Sequence, residues 1–128
     1  MDKSMRILVV DDDPTMRQIV IRLFKSLKYD NVEGAENGTA ALDMLRNGSF
    51  DFLATDWDMP GVKGIELLRS VRADNNLKNL PVLMMTGVSK KAEIIEAAQA
   101  GASGYVVKPF TAEVLDDKVN KILKELNL

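Results

Sequence analysis

The chain has 128 residues, a formal net charge of −2, no cysteine and no histidine. Its size suits one domain that buries a sizeable core without a disulfide or metal staple. The missing residue types exclude disulfide frameworks, thiolate and imidazole metal sites, cysteine nucleophiles, Ser-His triads and a phosphohistidine on this chain, and the near-neutral balance leaves no electrostatic footprint for nucleic acid.

Ile7-Leu8-Val9-Val10 is the first of five short apolar runs, and it predicts a strand buried on both faces. Asp11-Asp12-Asp13 follows it. Asp13-Pro14 reads as the N-cap and first residue of a helix. Its stripe of Met16, Ile19, Val20, Leu23, Phe24 and Leu27 keeps the i, i+3, i+4, i+7 spacing. Val32 to Ala35 is a weaker, more polar strand, placed at a sheet edge. Ala41, Leu42 and Leu45 form a short helical stripe that ends at Gly48. Phe52-Leu53-Ala54 is the third strand, and Ile65, Leu68 and Val71 mark the third helix. Val82 to Met85 is the fourth strand. Ile94, Ile95, Ala97 and Ala98 form a fourth stripe, stopped by Gly101. Tyr105-Val106-Val107 is the fifth strand. Thr111 caps a last helix with Val114, Leu115, Val119, Ile122, Leu123 and Leu126 on one stripe.

All the runs but the second are nearly continuous in apolar character. Strand and helix alternate five times, which implies an α/β fold: a doubly wound, five-stranded parallel sheet with helices on both faces and right-handed crossovers. One domain over residues 1–128 is expected. No apolar run nears the 18 or so residues of a membrane span. The run after Met5-Arg6 stops at acids, not at a small-residue cleavage site, so a cytoplasmic protein is expected.

Ligands of open parallel sheets bind at the carboxyl ends of the strands. There the sequence places Asp11-Asp12-Asp13, then Thr55-Asp56-Trp57-Asp58-Met59-Pro60-Gly61, then Thr86-Gly87, then Lys108-Pro109-Phe110. Acids after the first and third strands converge. Two carboxylates about 5 Å apart repel by roughly 3 kcal/mol at an effective dielectric of 20. Mg²⁺ resolves this, since it seeks oxygen ligands and keeps several waters, and Lys108 supplies a second positive point. A phosphoryl group entering the site meets Mg²⁺, Lys108 and the Thr86 hydroxyl, and phosphoryl transfer needs mainly positioning and charge neutralisation. A carboxylate is a competent nucleophile for it. Singly, each feature is ordinary: Asp13 as an N-cap, Asp56-Trp57-Asp58 as a solvated turn, Thr86 as a strand-end residue. The weight lies in all of them landing at one end of four strands.

With these residues in hand, the sequence resembles bacterial response-regulator receivers, of the stand-alone chemotaxis type that signals to the flagellar motor. The similarity runs from about Met5 to Leu126. It includes Val9-Val10-Asp11-Asp12, Thr15-Met16-Arg17, Thr55-Asp56-Trp57-Asp58-Met59-Pro60, Leu80-Pro81-Val82-Leu83-Met84 and the stretch from Ala97 to Thr111. The flavodoxin-like strand order 2-1-3-4-5, known for chemotaxis regulators, comes with the resemblance. So do the roles. Asp56 is expected to accept the phosphoryl group from a sensor histidine kinase. Asp12 and Asp56 are expected to bind Mg²⁺ directly, with the backbone carbonyl of Asp58 as a third ligand and Asp11 acting through water. Lys108, joined to Pro109 by a cis bond, pairs with the acids and then the phosphate. Thr86 moves toward the phosphoryl oxygens and Tyr105 changes rotamer with it. Ile94, Tyr105 and Lys118 belong to the output face of a monomer, whose target is the flagellar motor switch or another protein. Ile94 reads equally well as simple core packing.

The sequence departs from that family at four places. Asp58 stands where such regulators usually carry Asn, Val88 where they carry Glu, Asp13 for Phe and Gly87 for Ala. A dedicated phosphatase is among the partners the resemblance brings, and Asp58 and Val88 count against one of the family type. A rival reading is an Mg²⁺-dependent phosphatase with an aspartyl nucleophile, because Asp56-Trp57-Asp58 has its D-x-D form. Pro60 stands where that chemistry wants Thr or Val, and the chain offers no cap domain. Three acids after the first strand also exclude a flavin-phosphate loop.

Overall fold

The computed structural model describes residues 3–87 and 90–128. Strands β1 (Ile7–Val10), β2 (Val32–Ala35), β3 (Phe52–Asp56), β4 (Val82–Thr86) and β5 (Gly104–Val107) alternate with helices α1 (Pro14–Ser26), α2 (Gly38–Asn47), α3 (Gly64–Ala73), α4 (Lys91–Ala100) and α5 (Ala112–Glu125). All strand pairs are parallel, in the order β2-β1-β3-β4-β5. This is the flavodoxin-like order that the resemblance implies.

Side chains alternate across a strand, and here they feed two cores. Ile7, Val9, Phe52, Ala54, Leu83, Met85 and Val106 point to one face, where α1 and α5 bring Val20, Phe24, Leu115 and Val119. Leu8, Val10, Leu53, Val82 and Met84 point to the other, against Ala41 and Leu45 of α2, Leu67, Leu68 and Val71 of α3, and Ala97 of α4. Because both faces are covered, β1, β3 and β4 are buried throughout. The predicted caps are in place: Asp13 accepts from the Thr15 amide at 2.9 Å and Thr111 from the Val114 amide at 3.2 Å. Gly101 ends α4 with φ of +99°, in the left-handed conformation glycine tolerates best.

Several expectations need correction. β3 and β4 run on through Thr55-Asp56 and Thr86, so these site residues lie on the strands, not in the loops after them. β5 is partly exposed although its sequence is apolar, because it is the second edge of the sheet. Ile19 projects to solvent, and Ile21 takes the buried place on α1. On α4 only Ala97 is buried and Ile95 is 46% exposed, so most of that stripe is not core. Val114 and Leu126 of the α5 stripe are also exposed.

Arg72 fastens the end of the sheet away from the acids. Its guanidinium donates to the carbonyls of Leu80 at 2.6 Å, Gly101 at 2.9 Å and Lys78 at 3.1 Å, tying the segment before β4 to the α4–β5 turn. Burial lowers its pKa, and Arg stays charged regardless. Arg72→Met keeps the stem but strands these acceptors. The variant should lose about 2–3 kcal/mol in urea unfolding; a loss below about 0.5 kcal/mol would show that water replaces the guanidinium.

Candidate functional site

Strand register explains why the acids meet. Val10 pairs with Thr55, so one further step sets Asp11 beside Asp56. Asp56 pairs with Met85 and Thr86 with Val107, which places Lys108 one residue beyond the same edge. The Lys108 amide donates to the Thr86 carbonyl at 2.7 Å, and the Lys108–Pro109 bond is cis, as the resemblance implies. From there the Lys108 ammonium reaches Asp56 Oδ1 at 2.8 Å and Asp11 Oδ2 at 3.4 Å.

One carboxylate oxygen from each of Asp11, Asp12 and Asp56 lies within 4.8 Å of the others. Asp11 and Asp56 are buried, while Asp12 is exposed at the mouth. Burial raises the Asp56 pKa; Lys108 opposes the rise, and the charges of Asp11 and Asp12 add to it. For Lys108, burial acts downward, but the hydrogen bond and charge of Asp56, with help from Asp11, lift its pKa overall. One ammonium therefore pairs with two of the three carboxylates, leaving the cluster short of positive charge. Ligand atoms on an ion with bonds of about 2.1 Å stand about 3–4 Å apart. Three carboxylate oxygens gathered within 4.8 Å are the hard donors a small oxygen-seeking divalent cation takes, and a slight closing of the cluster brings them to that spacing.

The β3–α3 turn completes the cleft. The Trp57 amide donates to the Met85 carbonyl at 2.8 Å, and the Gly64 amide to the Trp57 carbonyl at 3.0 Å. A Cβ on Gly64 would overlap the Asp56 carbonyl oxygen, so α3 packs against the Asp56 backbone only because residue 64 is glycine. Asp58 is exposed on this turn.

Thr86 is buried at the end of β4. It shares a small cavity with Trp57, Met84, Glu93, Ile94, Ala97 and Tyr105. Ile94 thus faces Tyr105 and Thr86 across this cavity. Outside it, the Lys118 ammonium lies 5.0 Å from the centre of the Tyr105 ring, a cation–π contact. The structure therefore brings Asp11, Asp12, Asp56 and Lys108 into one cleft and joins Thr86 to Ile94, Tyr105 and Lys118 beside it. Val88 lies outside the described residues. Sequence reasoning missed Gly64 as a site residue; the signal was a second glycine three residues after Gly61, at the head of an amphipathic helix.

The sequence pattern of the response regulator receiver domain matches residues 7–120. The chain belongs to this family. Its relatives include chemotaxis regulators. It is 58% identical over 123 residues to chemotaxis protein CheY of Pseudomonas aeruginosa, covering 96% of this chain and 99% of that one. It is 54% identical over 126 residues to CheY-3 of Vibrio cholerae, covering 98% and 97%. Among solved structures, Vibrio cholerae CheY4 superposes with a TM-score of 0.87 at 33% identity, over 93% of this chain and 98% of that one. The response regulator TrrA of Thermotoga maritima, in complex with Mg²⁺-BeF, superposes with a TM-score of 0.82 at 34% identity, over 93% and 99%. This is a receiver homologous to the CheY chemotaxis response regulators, a signalling protein with an acidic cluster compatible with a phosphorylation site. Among the described residues, no helix is long and apolar enough to cross a membrane.

Proposed function

We propose that the 128 residues form one receiver that works as a phosphorylation switch, with Asp56 as acceptor and a sensor histidine kinase as donor. The observation that carries this reading is the Lys108 ammonium 2.8 Å from Asp56, with Asp11 and Asp12 converging on the same point. Asp56 Oδ attacks phosphorus, the bond to the donor's leaving atom breaks, and an acyl phosphate forms. Mg²⁺, when bound, neutralises charge on the transferring group. Asp12, Asp56 and the Asp58 carbonyl would hold it, with Asp11 acting through water. Lys108 keeps Asp56 oriented and then pairs with the phosphate, while buried Asp11 anchors Lys108. The Mg²⁺-BeF complex of TrrA supports this cation assignment by relationship.

A dianionic phosphate beside Thr86 and Lys108 offers new acceptor oxygens. Thr86 turns toward them, and its displacement shifts Tyr105 and Ile94 through the cavity they share. The face of α4, β5 and α5 with Ile94, Tyr105 and Lys118 then engages its target. By relationship to CheY proteins that target is the flagellar motor switch, the protein acting as a cytoplasmic monomer. The same chain promotes its own phosphotransfer and dephosphorylation. Asp58 and the Val88 position set its reset, with or without a separate phosphatase.

Trp57, next to Asp56 and almost buried, serves as reporter. Its fluorescence should change on adding Mg²⁺ and again with acetyl phosphate. Intact mass should then show one phosphoryl group per chain, dependent on the metal. Steady release of phosphate from an added phosphomonoester, without a stoichiometric phosphoprotein, would replace the switch with a hydrolase.

A further inference from the structure

Arg17 sits on α1, and helical side chains tilt toward the helix N-terminus. Its side chain reaches back to the end of β1, where Nη1 donates to the Asp11 main-chain carbonyl at 2.8 Å. The stem passes over β2 at Gly34, beside Ile21, where an added Cβ would lie 3.1 Å from Arg17 Cδ, 3.1 Å from Ile21 Cδ1 and 3.3 Å from Arg17 Cγ. Asp11 is held at two further points: Oδ1 accepts from the Asp13 amide at 3.0 Å and Oδ2 from Lys108 at 3.4 Å. The carbonyl that Arg17 grips belongs to the peptide joining Asp11 to Asp12. Its orientation decides where the exposed Asp12 carboxylate points.

We propose that Arg17 is a positioning residue for the cation site: it fixes the Asp11–Asp12 peptide so that both carboxylates face Asp56, and Gly34 leaves a lane for its stem. The inference rests on the metal-dependent reading above. It has a distinctive sign. If Arg17 acted only as a nearby positive charge, removing it would strengthen Mg²⁺ binding; as a positioning residue its removal weakens binding.

Arg17→Met keeps the stem and removes the donor. Its Mg²⁺ dissociation constant, read from Trp57 fluorescence, should rise about tenfold, the scale of losing a group that orients a metal ligand. Arg17→Lys keeps the charge without the planar donor and should fall between. Arg22→Met, on the exposed surface of the same helix, should match the wild type. Gly34→Val crowds the stem, so it should weaken binding in the wild type and add little to Arg17→Met, the non-additivity of a shared mechanism. In metal-free protein the Asp13 amide should exchange about three times faster in Arg17→Met than in Arg22→Met, as its acceptor loosens. Mg²⁺ binding as tight as in Arg22→Met, with equal Asp13 exchange, overturns the proposal. If the wild type shows no Mg²⁺ response at all, the cation reading falls, and the Asp13 exchange rate still decides the role of Arg17.

Discussion

Asp56→Asn should abolish the gain of one phosphoryl group and, without metal, make the protein more stable at pH 7. Both results follow from the same carboxylate. Its pKa is raised, first by burial, then by Asp11 and Asp12, against the pull of Lys108. A folded-state pKa above the unfolded value contributes stability that is fully present below the unfolded value, and that contribution is lost as pH rises through the folded pKa. Once Asp56 is ionised the wild type has lost it, whereas the neutral amide has none to lose. Asp11 and Asp12, each within 4.8 Å, repel Asp56 by about 3.5 kcal/mol apiece at an effective dielectric of 20, and Lys108 at 2.8 Å attracts it by about 6 kcal/mol, so the gain should be about 1 kcal/mol. Urea unfolding in metal-free buffer measures it. The difference between variant and wild type should shrink toward pH 4 as Asp56 takes up its proton. Mg²⁺ should reverse the order, because an ion at a hundred times its dissociation constant adds about 2.7 kcal/mol to the protein that binds it. A variant less stable than the wild type at pH 7 would mean that the Lys108 pairing outweighs burial and repulsion. A variant that still gained the phosphoryl group at the wild-type rate would remove Asp56 as acceptor.

Gly64→Ala is expected to cost about 3 kcal/mol, at the upper end of overpacking effects, although alanine favours helices more than glycine does. The new methyl would meet the Asp56 carbonyl oxygen and come within 3.1 Å of Trp57 Cα. Both are backbone atoms, which cannot swing aside as the end of a long side chain can. Either α3 slides outward or the Asp56–Trp57 peptide moves. In the second case the Asp56 carboxylate leaves its place beside Lys108, and a shift near 1 Å should reduce the rate of transfer from acetyl phosphate about a hundredfold. Urea unfolding and the phosphorylation rate separate the two responses. A stable, fully reactive Ala variant would show that the α3 turn has slack absent from this packing.

Much of this design is written locally. Apolar runs and helical stripes locate all ten elements, and Asp13, Thr111 and Gly101 mark helix ends because capping needs only neighbours a few residues away. The four groups of the site were legible for the same reason: each follows directly on an apolar run. Strand ends were less legible. Thr55, Asp56 and Thr86 look like loop residues, yet they stay in the ladder because adjoining strands continue beside them. Periodicity also overstated the core. Ile19 and Ile95 keep helical spacing but face solvent, since a stripe's period does not say which edge of it meets the sheet.

By itself, then, the sequence determined the order and type of the elements, the chemistry at each strand end and, through its resemblance, the family. Only the tertiary structure decided that Lys108, which the resemblance pairs with the acids, meets Asp56 more closely than Asp11, that Arg72 meets Gly101 across 29 residues, and that Gly64 must lack a side chain. Such contacts arise when strands distant in sequence are brought into register, and the geometry of that register is a property of the assembled sheet that no local stretch of residues contains.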